Sequence, residues 1–215
     1  CAQTNDRRPM SEQFISQLRL KLQQPLPGYE SHRTVMEHRK STNTIDFKKL
    51  NPRESAVLLH LYIHLGQLHI SFIERPEYDG VHSKQISFPG GKVELQDESL
   101  MHTAVREAKE EVNIEPEKLE ILGSLSQIYI PPSNFLVQPF VSFHSQRPDF
   151  IPDPREVGEI IEFPIHDLMK QQLTKHELLR NGRVLVVNGY ELNKKVVWGA
   201  TAMITKEFID VCQNL

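Results

Sequence analysis

The chain has few cysteines, and their positions limit the classes of protein to which it can belong. Only Cys1 and Cys212 occur in 215 residues, at opposite ends of the sequence. This excludes a disulfide-rich scaffold and a CxxC zinc site, and we expect two free thiols in a reducing compartment. The sequence also lacks an apolar run of the roughly 18 residues that a membrane span needs, and an apolar signal core near its start. We therefore expect a cytoplasmic protein without a membrane partner.

A strong excess of positive charge is also lacking. The 25 Lys and Arg residues are balanced by 28 Asp and Glu residues, which gives a formal net charge of -3. A nucleic-acid partner is not indicated, because proteins that bind such backbones carry a basic face that neutralises phosphates. An acidic protein that handles phosphates must supply a local cation, and a bound metal ion is the obvious source.

The hydrophobic pattern shows strands and helices without a regular βαβ alternation. Helical patterns cover residues 11–22, 99–112 and 201–212, and strand patterns cover residues 55–64, 68–74, 85–88, 119–130, 135–144 and 158–163. This order predicts an α+β fold in which a mixed sheet lies between helices. We predict an N-terminal extension with a short helix at residues 1–53, followed by one domain at residues 54–215.

Three further predictions concern the segments between these elements. Residues 29–53 are polar, and we expect them to be irregular. Residues 164–173 are expected to form a short helix. The pair Asn188-Gly189 is typical of a tight turn, so residues 183–187 and 190–192 are predicted to form a second hairpin.

The segment from Phe88 to Ile114 carries the chemistry. Gly90 and Gly91 open a tight loop, in which the backbone can approach a ligand closely. On the following helix three glutamates lie at positions i, i+3 and i+4, which places their carboxylates on one face: Glu107, Glu110 and Glu111. Like charges repel unless a cation lies between them, and Mg²⁺ and Mn²⁺ favour oxygen ligands. The spacing indicates a Mg²⁺ or Mn²⁺ site that holds a diphosphate; the alternative is an ordinary charged helix face. We expect Glu110 and Glu111 to face solvent and metal rather than the core.

The whole segment resembles the Nudix box, G-x5-E-x7-R-E-U-x-E-E-x-G-U, in which U is apolar. Residues 106–114 cover its second half, with Asn113 where glycine is usual. Asn is the next-best residue for a left-handed helix end. One extra residue between Gly91 and Arg106 leaves three candidates for the first glutamate: Glu94, Asp97 and Glu98. The resemblance implies that residues 54–215 form a Nudix hydrolase domain, an α/β/α sandwich with a mixed sheet.

Within that superfamily, the loop is similar to the one in the coenzyme A diphosphatase group. Residues 88–99 match its Phe-Pro-Gly-Gly-x-x-(Asp/Glu)-x-x-Asp-x-Ser pattern, and residues 131–141 and 152–157 also resemble that group. The upstream signature is matched in part, with Glu74 near its threonine and Lys84 where glycine is expected. The resemblance implies that a metal-activated water cuts coenzyme A or a derivative. The products would be a 4′-phosphopantetheine and adenosine 3′,5′-bisphosphate.

The resemblance also implies roles for the acidic residues and for Arg106. Glu107, Glu110 and Glu111 would hold the metal, and one of them or Glu156 would be the general base. The catalytic candidates named for that step are Glu110, Glu107 and Glu156. Glu156 has a plainer alternative, a solvated loop residue. Arg106 would orient a loop carboxylate through an ion pair rather than touch the substrate.

Substrate-binding candidates lie before and within the glycine loop. We expect the backbone of Gly90 and Gly91 to approach the diphosphate. Arg75, His82 and Lys84 could bind the extra phosphate of coenzyme A by charge-assisted hydrogen bonds, and solvation at the surface is the alternative. The expected partner is a small-molecule diphosphate, and a homodimer is left open.

Two other functions compete with this interpretation. One is a different Nudix specificity, such as ADP-ribose or another nucleoside diphosphate linked to a second group. The other is a nucleotide-sensing Nudix module that does not cut its ligand. Such a module would show a damaged glutamate cluster or an attached DNA-binding domain, and neither is visible in the sequence.

Overall fold

The strand that runs through the middle of the fold is the long apolar one predicted at residues 55–64. In the computed structural model, which describes residues 10–36, 45–76, 84–180, 182–213 and 215, it extends from Arg53 to His64. The helices are α1 (Met10–Leu22), α2 (Tyr29–Val35), α3 (Phe47–Leu50), α4 (Leu100–Val112), α5 (Ile165–Leu168) and α6 (Gly199–Cys212). The strands are β1 (Arg53–His64), β2 (Gln67–Glu74), β3 (Ile86–Ser87), β4 (Gly90–Lys92), β5 (Glu120–Ser124), β6 (Ile128–Ile130), β7 (Phe135–His144), β8 (Glu159–Pro164), β9 (Thr174–Arg180), β10 (Arg183–Leu192) and β11 (Lys195–Trp198).

The main sheet is mixed, as the order of elements predicted. Its strands follow the order β3-β2-β1-β7-β5, while β4 pairs with β1, β6 with β7 and β8 with β2. The pairing of β1 with β7 is parallel, and the other pairings are antiparallel. A strand with parallel and antiparallel neighbours lies inside the sheet and is buried on both faces, which explains its nearly continuous apolar sequence.

The two faces of β1 belong to two different cores. Ala56 and Leu58 pack in one cluster with Ala104 and Ala108 of α4. Leu59, on the opposite face, joins a larger cluster that also contains buried side chains of α1 and α6. Because side chains alternate across a strand, one sheet can serve two helical layers. The predicted α/β/α sandwich is confirmed.

Helix α4 has local start and stop signals that the sequence already shows. The side chain of Ser99 accepts a hydrogen bond of 3.1 Å from the backbone N–H of His102 and so caps the helix. At the other end Asn113 takes the left-handed conformation, with φ 61°, and its N–H donates to the carbonyl of Lys109 at 2.9 Å. Asn113 therefore occupies the helix end where the family pattern has glycine without breaking the end of the helix.

The prediction that residues 29–53 are irregular was wrong in part. Residues Tyr29–Val35 form α2, which packs against α6. The contact is largely polar: Nε2 of His32 lies 2.8 Å from Oε2 of the buried Glu207, and the hydroxyl of Ser31 donates to Asp210 at 2.6 Å. A helix whose buried face is polar has no hydrophobic period, so sequence patterning could not find it. Ile15 and Leu18 of α1 are also buried in the larger core.

The predicted hairpin around Asn188-Gly189 was wrong as well. Both residues lie inside the single strand β10, which pairs with β9 and β11 in a separate three-stranded sheet. A Cβ on Gly189 would lie 2.4 Å from the carbonyl oxygen of Val197 on β11, so glycine here allows two strands to approach each other. The chain turns instead at Asn193 and Lys194, with φ 50° and 64°.

Helix α5 is shorter than the predicted helix at residues 164–173. It covers four residues, of which Ile165 and Leu168 are buried. The chain then continues through a short loop into β9. In the described part of the chain, no helix is long and apolar enough to cross a membrane.

Candidate active site

The loop between β4 and α4 is held in place by one ion pair. Arg106 donates to both oxygens of Asp97, from Nε to Oδ1 and from Nη2 to Oδ2, each at 2.9 Å. The hydroxyl of Thr103 and the backbone N–H of Glu94 also donate to Oδ2 of Asp97, again at 2.9 Å. The Arg106 guanidinium holds the pKa of the Asp97 carboxyl well below its usual range. Of the three loop carboxylates left open by the sequence, Asp97 is the partner of Arg106.

Arg106 also connects this loop to the glutamate face of α4. Its Nη1 donates to Oε1 of Glu107 and to Oε2 of Glu110, both at 3.1 Å, and its Nη2 donates to the carbonyl of Lys92 at 3.1 Å. A planar guanidinium with five N–H donors suits such a junction better than a lysine would. Arg106 thus orients a loop carboxylate, as the resemblance implied, and also holds two of the predicted metal ligands.

Glu111 differs from the other two glutamates because it is buried. Its side chain is 2% exposed, so the expectation that it faces solvent was wrong. Its Oε2 accepts a hydrogen bond of 2.9 Å from the N–H of Gly90, while its Oε1 is buried without a hydrogen-bond partner. Burial raises the pKa of this carboxyl to about 8, against the N–H of Gly90 and the charge of Arg75, which lower it. An unpartnered buried carboxylate oxygen calls for a positive ligand.

Glu107 lies beside Glu111, and Gly91 makes room for it. A Cβ on Gly91 would lie 2.2 Å from Oε1 of Glu107, closer than any real contact. Gly90 is equally constrained, with φ 154° and a Cβ position 2.3 Å from the carbonyl oxygen of Ala56. The glycine pair therefore lets β4 fit between β1 and the glutamates. Burial raises the pKa of Glu107, although Arg106 opposes the shift.

Glu110 and Glu156 are exposed at the edge of this site. The side chain of Glu110 is 60% exposed and contacts Arg106. Glu156 lies in the loop after β7, which is tied to α4 because the N–H of Asp153 donates to the carbonyl of Glu111 at 2.9 Å. The charge of Glu156 is close enough to contribute, after burial and other charges, to the raised pKa values of Glu107 and Glu111. The structure thus places the loop that carries Glu156 beside the end of α4 that carries Glu111.

The predicted substrate-binding cations are only partly placed beside this cluster. The Nη2 atom of Arg75 lies 3.9 Å from Oε1 of Glu111, so Arg75 borders the site. Lys84 is exposed and has φ 54°. His82 lies outside the described residues.

Two residues near the site were missed by sequence reasoning. Thr103 is fully buried on α4 and bonds to Asp97; its spacing of i−3 from Arg106 on one helix could have indicated this role. Lys195 of β11 contacts Glu74, the residue before Arg75. No local signal connects residue 195 to residue 74, so only the tertiary fold shows that contact.

The chemistry of the donors fits a divalent cation, although their present rotamers do not enclose one. Among the residues that the structure describes, no three His, Cys, Asp or Glu side chains converge as a ready metal site. Glu107 and Glu110 are instead engaged by Arg106, whose single positive charge is shared with Asp97 and offsets only part of theirs. The fit rests on Glu111, whose buried Oε1 has no hydrogen-bond partner, and on Glu107 and Glu156, whose charges act on Glu111. Hard carboxylate oxygens of this kind are what Mg²⁺ and Mn²⁺ prefer.

A mixed sheet between helical layers, with a glycine loop leading into a glutamate-bearing helix, defines the class of fold and site. A family model described as the NUDIX domain matches residues 52–184, more than half of the chain, and the chain therefore belongs to the Nudix family. It is accordingly a hydrolase, of the kind that acts on derivatives of nucleoside diphosphates.

Curated relatives carry the same family name along most of the chain. An uncharacterized Nudix hydrolase named NudL from Yersinia enterocolitica is 30% identical over 210 residues, which cover 92% of this chain and 96% of that protein. NudL of Photorhabdus laumondii is 32% identical over 139 residues, covering 61% of this chain and 71% of that protein. Among solved structures, a MutT/nudix family protein from Enterococcus faecalis aligns with a TM-score of 0.49 and 20% identity, over 89% of this chain and 76% of the other.

Proposed function

We propose that this protein uses Mg²⁺ or Mn²⁺ to hydrolyse the diphosphate bond of coenzyme A or a coenzyme A derivative. The products would be a 4′-phosphopantetheine and adenosine 3′,5′-bisphosphate. The single observation that carries the hydrolytic part is the buried Glu111, one of whose carboxylate oxygens has no partner and lies beside Glu107. A buried carboxyl with one oxygen free of hydrogen bonds, and with the nearest guanidinium nitrogen 3.9 Å from that oxygen, leaves a place for a ligand that compensates its charge.

Glu107, Glu110 and Glu111 would hold the cation in this proposal. When bound, a divalent cation neutralises charge that develops on the phosphoryl oxygens and lowers the pKa of a bound water. The protein's own part is to keep the glutamates in place: Gly90 positions Glu111, and Arg106 with Asp97 fixes the loop in front of Glu107. The general base would be one of the glutamates on α4 or Glu156; Glu110 and Glu156 are exposed, whereas Glu111 is buried.

Two kinds of observation support coenzyme A as the substrate. Residues 88–99 match the loop pattern of the coenzyme A diphosphatase group, including its extra residue before Arg106. Arg75 borders the glutamate cluster and supplies a guanidinium that can pair with a phosphate in a bidentate manner. Coenzyme A carries a ribose 3′-phosphate in addition to its diphosphate, and this phosphate is the anion that the Arg75 guanidinium would bind.

A substrate screen tests the proposal. The purified protein is incubated with coenzyme A, dephospho-coenzyme A, ADP-ribose, dinucleoside polyphosphates and nucleoside triphosphates, each with Mg²⁺ and with Mn²⁺. We expect the highest kcat/KM on coenzyme A, about ten- to hundred-fold above dephospho-coenzyme A, from one charge-assisted contact of roughly 1.5–3 kcal/mol. Good turnover of ADP-ribose with none of coenzyme A would retire the substrate and leave the diphosphate hydrolysis.

Variants of the cations separate phosphate recognition from general binding. Arg75→Ala and Lys84→Ala should lower kcat/KM on coenzyme A and change it little on dephospho-coenzyme A, because the smaller substrate lacks the group they bind. Equal losses on both substrates would assign Arg75 and Lys84 to the diphosphate or to folding instead.

A further inference from the structure

Lys195 of β11 joins the small sheet to the end of β2 beside the active site. Its Nζ atom donates to Oε2 of Glu74 and, at 2.7 Å, to Oε2 of Glu159. The Lys195 side chain is 25% exposed and that of Glu74 is 20% exposed, so the contact between these two is shielded from solvent on most sides, whereas the Glu159 side chain is 55% exposed. Burial lowers the pKa of Lys195, but hydrogen bonds to Glu159 and Glu74 outweigh it and leave the pKa raised. Lys195 is therefore held in its charged form by both partners.

The two carboxylates that Lys195 contacts would repel each other without it. Glu74 and Glu159 are directly paired across the antiparallel strands β2 and β8. Like charges directly opposite one another on a sheet are destabilising. Their pair lies at the last residue of β2 and the first residue of β8, which is the end of the paired stretch of these two strands. Lys195 thus offsets a repulsion at the point where the two strands begin to diverge.

Both active-site segments at this edge start from that pair. Arg75 follows Glu74 directly, and its guanidinium reaches to 3.9 Å from Oε1 of Glu111. The carbonyl of Glu74 accepts a hydrogen bond of 2.8 Å from the N–H of Gly158, two residues after Glu156. Separation of β8 from β2 would move the Glu156 loop relative to Arg75, whose N–H donates to the carbonyl of Gln85 at 3.0 Å.

The three-stranded sheet positions Lys195 beside Glu74 and Glu159. Lys195 pairs with Leu192 across the turn at Asn193 and Lys194, and β11 packs against β3, the neighbour of β2. Lys194, the residue before Lys195 in the turn, is exposed and lies outside this contact.

We propose that Lys195 is a positioning residue of the hydrolase, which clamps the ends of β2 and β8 and so sets Arg75 and the Glu156 loop over Glu111. The proposal rests on the proposed function, because its effect on activity presupposes turnover of a diphosphate. Lys195 does not touch the reacting atoms. It acts through two carboxylates whose repulsion it removes.

Lys195→Met tests the clamp by kinetics, with Lys194→Met as the matched control from the same turn. We expect Lys195→Met to lower kcat about tenfold, since small misplacements of catalytic groups cost this much or more. The KM for coenzyme A should rise as well, because Arg75 is a proposed substrate-binding residue, and Lys194→Met should leave both unchanged. Lys195→Arg should retain most of the activity because it keeps the charge. A folded Lys195→Met protein with wild-type kcat overturns the proposal.

Charge balance distinguishes a clamp from simple loss of a packed side chain. Adding Glu159→Gln to Lys195→Met removes the repulsion that Lys195 offsets, so kcat should return to within about threefold of wild type. If neither this double variant nor Lys195→Arg restores kcat while both are as stable as wild type, Lys195 is not a charge clamp.

Hydrogen exchange supplies a readout that needs no substrate. In Lys195→Met, amides of the segment 151–160, including the Gly158 N–H bonded to Glu74, should exchange at least about tenfold faster, and the double variant should restore their protection. Unchanged exchange overturns the clamp whatever the activity. If the wild-type protein cuts no diphosphate but Lys195→Met shows the expected faster exchange, the proposed function is overturned and the clamp is supported.

Discussion

Two buried glutamates on two helices, Glu111 of α4 and Glu207 of α6, have opposite surroundings. Both oxygens of Glu207 are partnered: Oε2 lies 2.8 Å from Nε2 of His32, and Oε1 accepts a bond of 3.1 Å from the N–H of Ser126. Glu111 has one partnered oxygen and one buried oxygen without a hydrogen bond. A satisfied buried carboxylate joins parts of the fold, whereas an unsatisfied one marks a place where a ligand completes the structure.

Removal of the divalent cation should have the largest effect, because only Glu111 of these two glutamates is proposed to bind it. Activity should disappear in EDTA and return with added Mg²⁺ or Mn²⁺, because Oε1 of Glu111 has no hydrogen-bond partner and the nearest guanidinium nitrogen, Nη2 of Arg75, is 3.9 Å away. The hydrolysis assay with and without chelator measures this. Full activity in excess EDTA would contradict a metal role for the glutamates.

The next largest effect is expected from the two glutamates themselves. Glu111→Gln and Glu110→Gln should each lower kcat by at least about 10²-fold, more than changes in residues that only support a metal ligand. Glu207→Gln is the matched control, and its kcat should stay within about threefold of wild type because it lies in the α2–α6 contact. Near-wild-type rates for both α4 variants, with folding checked by circular dichroism, would refute the assignment.

Substitutions at Glu207 and Glu111 should change the stability of the protein in opposite directions. Glu207→Ala leaves His32 and the Ser126 N–H without partners, and we expect a loss of about 3 kcal/mol. Burial raises the pKa of Glu111 to about 8, so at neutral pH folding requires the carboxyl to take up a proton. Glu111→Gln removes that cost, and the metal-free protein should unfold at a temperature higher by roughly 5 °C. Thermal unfolding with and without Mg²⁺ tests both. Mg²⁺ should raise the melting temperature of wild type and not that of Glu111→Gln.

The smallest expected effect concerns His60, a third buried ionisable side chain, one of whose ring nitrogens has no hydrogen-bond partner. Its Nδ1 lies 2.9 Å from the hydroxyl of Ser142, and its Nε2 is buried without a partner. Burial, with the charge of His144, lowers the pKa of His60 from 6.5 to about 3. Between pH 6.5 and pH 3, His60 is therefore protonated in the unfolded chain and neutral in the folded protein. The free energy of unfolding falls as the pH drops through this range. From pH 7 to pH 5 the loss should be about 2 kcal/mol.

Urea unfolding across this pH range measures the contribution of His60. His60→Gln should flatten the pH dependence, while the control His69→Gln, at a more exposed position, should leave it as in wild type. The same slope in wild type and His60→Gln would show that other groups cause the acid sensitivity.

Much of the site could be predicted because its signals are local. The helix period placed Glu107, Glu110 and Glu111 on one face, and the Ser99 cap and Asn113 marked the ends of α4. The sequence left the first glutamate of the box undecided among three residues and did not name the loop carboxylate that pairs with Arg106, because both depend on how the loop folds back onto the helix. The choice of Asp97 comes from its additional bonds to Thr103 and to the N–H of Glu94.

Elements with a continuous pattern could be predicted from the residues alone: β1 and its hairpin to β2, β7, α4 with its glutamates, and the layered α/β/α arrangement. These depend on periodicity and on neighbours close in the chain. Three features became visible only in the folded protein: Glu111 is buried with one oxygen that has no hydrogen-bond partner, α2 packs on α6 through polar groups, and Lys195 reaches Glu74. Burial and long-range pairing depend on residues more than a hundred positions apart in the last two cases, and no local pattern encodes which distant side chain will arrive.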